Sequence, residues 1–66
     1  MNTKLLKKVA REKGLNIGDL ARLSGIKWVV LLSAFWGIRE FRLLEIVRIS
    51  ETLEIDKKLV EEIFFE

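Results

Sequence analysis

The sequence predicts a single all-α domain of five short helices. Apolar residues recur every three or four positions in five successive stretches. Four of the five are opened by a capping residue or closed by a glycine, and none alternates apolar and polar residues as a strand would. No linker of more than a few residues separates the stretches, and there is no repeat or low-complexity segment. Residues 1–66 are therefore read as one domain.

The first helix starts near Thr3, where Leu5, Leu6, Val9 and Ala10 fall at helical spacing among lysines and Arg11. It stops at Gly14, which enters the left-handed region at little steric cost, and Leu15 then turns inward. Asn16 is the N-cap of a second helix, with Asp19 at the position where a carboxylate favours the helix start. Leu20, Ala21 and Leu23 follow at core spacing until Ser24-Gly25 breaks the element. Ile26 re-enters the core, and a third helix runs from about Lys27 to Trp36, ended by Gly37. A fourth is expected over Glu40–Thr52, through Leu43, Ile46, Val47 and Ile49, with Leu53 just beyond. Asp56 caps a last helix with Leu59, Val60, Ile63 and Phe64 on one side. The expected core joins Leu6, Val9, Leu20, Ile26, Leu31, Leu43, Val47, Ile49 and Leu59.

Composition removes several function classes. There is no cysteine and no histidine, hence no disulfide, no thiolate metal site and no imidazole base. Ser24, Ser33 and Ser50 have no partner to activate them, so neither a catalytic constellation nor a cofactor or metal is expected. The longest uncharged run, Trp28–Ile38, is eleven residues, too short for a transmembrane helix. The N-terminal residues lack a signal pattern, and a cytoplasmic location is the expectation. Net charge is +2, closer to a mixed solvated surface than to a phosphate-binding footprint. Half of the residues are hydrophobic, more than so small a domain has interior to bury.

The series Gly14-Leu15-Asn16, Asp19-Leu20-Ala21, Leu23-Ser24-Gly25-Ile26 and Gly37 with Arg39 resembles the Cro/repressor (XRE-like) helix-turn-helix family. Leu43, Val47, Ile49, Leu53 and Ile55-Asp56 resemble that family's last two helices, so the likeness covers residues 4 to 64. It implies a lambda-repressor-like DNA-binding domain fold, in which small Ala21 and Gly25 let two short helices cross closely. In that family the third helix enters the major groove. The base-reading positions then fall on Lys27, Trp28, Val29, Leu32 and Ser33.

Those residues are poorly suited to the task. Bases are read by paired donors and acceptors; Val29 and Leu32 have neither, and Trp28 has a single donor on a bulky ring. Ile17 stands where the family often has a glutamine that holds the phosphate backbone, and Phe41 where a proline commonly opens the fourth helix. Ala10 and Phe35 replace an Arg and a Glu that many members pair between helices. Replacing both partners of such a pair strands no charge.

Burial accounts for Ile26, Leu31 and Ala34, and Phe35 is assigned to cover Ala10. Trp28, Leu32 and Trp36 are different: spaced i, i+4, i+8, they line one stripe, with Val29 and Ser33 beside it. Five helices of this length cannot bury that stripe and the opposite one together. The stripe is therefore expected to face solvent and to bind a protein partner or a second copy of the chain. Phe41, and beyond it Ile38, would extend the patch, with Lys27, Arg39, Glu40 and Arg42 as its polar rim. Specific DNA binding is not expected, although a Cro/repressor-type transcriptional regulator is the alternative, with Lys7, Lys8, Lys27, Arg39 and Arg42 as phosphate contacts. Two origins are open: a natural domain that exchanged DNA for protein, or a repressor-like scaffold resurfaced with hydrophobic anchors. The second better fits changes confined to one face and the absence of proline.

Overall fold

Five helices and no strand make up the computed structural model, which describes residues 1–66. They are α1 (Thr3–Glu12), α2 (Ile17–Ser24), α3 (Trp28–Phe35), α4 (Leu43–Leu53) and α5 (Lys57–Phe64). α2 lies against both α3 and α4, while α1 packs on α5. The Asn2 backbone N–H donates to the Ile63 carbonyl at 2.6 Å, tying the first helix to the last. The whole fills an envelope of 27 × 24 × 20 Å.

Local chemistry sets the boundaries. Asn16 Oδ1 accepts from the Asp19 N–H at 2.8 Å, and Asp19 Oδ2 accepts from the Asn16 N–H at 3.1 Å, a complete capping box. Asn2 and Asp56 cap α1 and α5 in the same way, accepting from Leu5 and Leu59. α1, α3 and α4 all end in the paired reverse-turn bonds of a Schellman motif. The residue that must turn left-handed is Gly14 in the first and Gly37, at φ 75°, in the second. In the third it is Glu54, a side-chain-bearing residue held at φ 54°.

α2 ends differently. Gly25 turns at φ 74° and returns its N–H to the Ala21 carbonyl. A Cβ there would stand 3.1 Å from the Arg48 guanidinium, which extends from α4 to the turn. Ser24, the one buried polar residue, accepts from the Ile26 N–H at 3.3 Å and leaves no orphaned group.

The core is contiguous: Leu6, Val9 and Ala10 from α1, Leu20 from α2, then Ile26 and Leu31. Ile46, Ile49 and Leu53 of α4 and Ile63 and Phe64 of α5 complete it. Leu59 is half-buried at its edge.

Three expectations need correction. Leu43 is 71% exposed and Val47 44%, so neither belongs to the core. At 100° per residue the stripe through Ile46, Ile49 and Leu53 is centred about 85° from Leu43 and about 125° from Val47. Leu23, placed at core spacing in α2, is also exposed. The fourth helix starts at Leu43 instead of Glu40 because Glu45 accepts from the Arg42 N–H at 2.8 Å and makes Arg42 its N-cap. Arginine has no acceptor to offer in return, so only half of the capping box forms.

Candidate protein-binding face

α3 has the fewest local supports of the five helices. Its N-cap, Lys27, makes no side-chain capping bond, and no acidic residue lies in its first turn. No basic residue lies in its last turn either. A cation at the positive end and none at the negative end is the reverse of what the helix dipole favours. Burial of Leu31 and Ala34 against the core holds the helix in place.

The outer stripe is notched. Trp28 is 56% exposed, Val29 60% and Trp36 78%, whereas Leu32 between them is half-buried. Ser33 is also half-buried, and its hydroxyl donates to the Val29 carbonyl at 2.9 Å. Leu32 shares a cleft with Lys7, Ile17, Phe35 and Trp36, which accounts for its lower exposure. The stripe expected to face solvent along its length thus does so at its two ends, with a step down in the middle.

Phe41 lies lower than expected. Its ring meets Phe64 edge to face, centroids 6.0 Å apart, and packs against the core. Ile38 takes the surface place instead, at 78% exposure. Its N–H donates to the Ser33 carbonyl at 2.9 Å, closing the Schellman turn. That motif usually pairs this residue with an apolar side chain at the position Ser33 occupies, and here the contact is missing.

The polar rim is partly engaged within the fold. Arg39 Nη2 pairs with Glu45 Oε1 at 2.9 Å, and Arg39 Nε donates to the Glu40 carbonyl at 3.3 Å. The Lys7 ammonium sits 5.6 Å from the centre of the Phe35 ring. Phe35 is half-buried and lines one cleft with buried Ala10. Two of the five cations that a DNA-binding reading requires, Lys7 and Arg39, thus already face protein groups.

Sequence reasoning missed a second apolar surface on α4, formed by Leu43, Leu44 and Val47. The signal was present in the phase of Ile46, Ile49 and Leu53 described above. No grouping of acidic residues could hold a metal ion, and no helix is long and apolar enough to cross a membrane. No protein-family model matches the chain, and neither a curated protein nor a solved structure does.

Proposed function

We propose that the chain is a repressor-type helix-turn-helix domain whose third helix binds protein instead of reading DNA. One observation carries the reading: the outward residues at the start and end of α3 are Trp28, Val29 and Trp36, all exposed and almost without hydrogen-bonding groups. Ser33 adds little, because its single donor is already bonded to Val29. Exposed aromatics framed by aliphatic residues are the usual material of binding hot spots. A binding module is the reading adopted, since neither a histidine base nor a cysteine nucleophile is present. A repressor-like scaffold resurfaced on one face accounts for ordinary caps and core beside an anomalous α3.

The competing reading, a DNA-binding regulator, is supported by the helix arrangement and the surface lysines. A titration of labelled duplexes, from a randomised pool, at 50 and 200 mM salt separates the two. Expected is no defined site bound tighter than the ~10⁻⁶ M non-specific range, with weak binding that falls steeply with salt. A footprint on one sequence that survives competitor DNA would overturn the proposal. Selection from a library of helical peptides supplies the positive arm. Selected peptides should lose about 30-fold or more in affinity for a Trp28→Ala/Trp36→Ala variant.

A further inference from the structure

We propose that the groove between α1, the start of α2 and α3 is a binding site for a small apolar carboxylate, an aromatic or medium-chain aliphatic acid. Trp28 and Val29 line no part of this groove, so the site stands apart from the protein-binding reading of the outer α3 face.

The groove consists of two clefts that share Lys7, Ile17 and Phe35. The first, with a volume of about 260 Å³, is lined by Ala10 and Leu20, 7% and 1% exposed, so its floor is the core itself. The second, about 250 Å³, is lined by Leu32 and Trp36 of α3 and its end. An apolar cavity of roughly 150 Å³ takes a benzene ring, so the first cleft alone has room for the body of such an acid. Together the two fall within the roughly 300–1,000 Å³ of small-molecule sites.

Charge selects the occupant. Lys7 and Arg11, one turn apart on α1, are the only charged residues lining either cleft. The ion pairs of the fold are Arg22 with Asp19 and Arg39 with Glu45, so neither cation has a carboxylate partner. Like charges at this spacing repel along a helix, and an anion between them replaces the repulsion with two attractions. Glu12 and Asp19, the nearest acids in sequence, line neither cleft. Asp19 is moreover engaged, accepting from the Asn16 N–H and pairing with Arg22. The first turn of α2 adds to the positive field, because no protein acceptor reaches the N–H groups of Ile17 and Gly18.

These features call for a ligand with two parts. A neutral apolar molecule leaves both cations unmatched, and a small polar anion leaves the apolar floor uncovered. An apolar acid satisfies both, with its carboxylate between Lys7 and Arg11 and its body on Ile17, Leu20 and Phe35. The Lys7 ammonium already stands 5.6 Å from the centre of the Phe35 ring, next to where that body rests.

The test is a titration of the backbone amides by NMR with octanoate, octylammonium and acetate, all below micelle-forming concentrations. Octanoate should give saturable shifts at Ala10, Leu15, Ile17 and Phe35, with octylammonium at least about 10-fold weaker and acetate unsaturated. The double variant Lys7→Gln/Arg11→Gln should weaken octanoate about 5–10-fold, and both side chains are exposed, so the fold is kept. Ala10→Leu, which fills the cleft, should weaken it about 10-fold, with circular dichroism confirming that the variant folds. If Ala10→Leu does not fold, the ligand series and the double variant still decide the matter. Trp28→Ala should leave octanoate affinity unchanged, which separates failure of this site from failure of the protein-binding face. Equal affinity for octanoate and octylammonium would overturn the recognition of a carboxylate, and saturable acetate binding of equal strength would overturn the role of the apolar floor. Octanoate shifts that do not saturate, or that centre on Trp28 and Val29, would overturn the site.

Discussion

Arg39 reaches across the turn between α3 and α4 to Glu45, with Nη2 2.9 Å from Oε1. The same oxygen accepts the Arg42 N–H at 2.8 Å. One carboxylate thus caps α4 and ties down the segment that carries Ile38. Both side chains are mostly buried, 31% and 19% exposed, so the pair is less screened than a surface one. Glu45→Ala should lower unfolding stability by about 1–2 kcal/mol in urea titrations. Glu45→Gln should recover part of the loss, because an amide oxygen still accepts from Arg42.

Leu31 and Leu32 are adjacent and divide between interior and surface, with Leu31 fully buried. Leu31→Ala should lower stability by roughly 2–5 kcal/mol through the cavity it leaves. Leu32→Ala should lower it by about 1 kcal/mol, as its side chain is only half-buried. Trp28→Ala and Trp36→Ala should stay within about 0.5 kcal/mol of the parent when measured as monomer. Should either tryptophan variant melt as readily as Leu31→Ala, α3 is phased differently and its outer stripe is core.

Glu54 holds a left-handed conformation in the Schellman turn that ends α4, a place where α1 and α3 use glycine. Glu54→Gly should raise stability by about 0.5–1 kcal/mol, net of the extra freedom glycine has when unfolded. For a domain of this length that corresponds to roughly 2–8 °C in Tm by calorimetry.

Leu43→Lys and Val47→Lys test the correction to the core. Each should change stability by no more than about 0.5 kcal/mol, with an unchanged denaturant dependence, because both side chains face water. A loss of 2 kcal/mol or more would return α4 to its expected phase. Neither variant should alter the affinity of peptides selected on the α3 face, which separates the α3 surface from the α4 surface.

Much of the helical frame was legible before the structure. The Asn16-Asp19 capping box, the breaks at Gly14, Gly25 and Gly37, and the Asp56 cap depend on bonds within four or five residues along the chain. Such bonds are specified by neighbours in sequence, so the pattern located four helices to within a residue or two. The start of the fourth helix was misjudged by three residues, because Glu45 captures Arg42 and leaves Glu40 outside the first turn.

The sequence by itself determined that α3 is apolar on too many sides for a domain of this size to bury. Only the tertiary structure decided how that excess is divided. Phe41 was expected at the surface, and Phe64, brought over by α5 and twenty-three residues distant in sequence, draws it down. Leu32 is half-covered because Lys7 and Ile17, from two other elements, flank the same cleft. Leu43 and Val47 are outside because α4 packs on α2 and turns Ile46, Ile49 and Leu53 into the core that Ile63 and Phe64 share. Periodicity gives the angle between side chains on one helix; which of those angles faces the core is set by the neighbouring helices, and these are chosen by the packing of the whole chain.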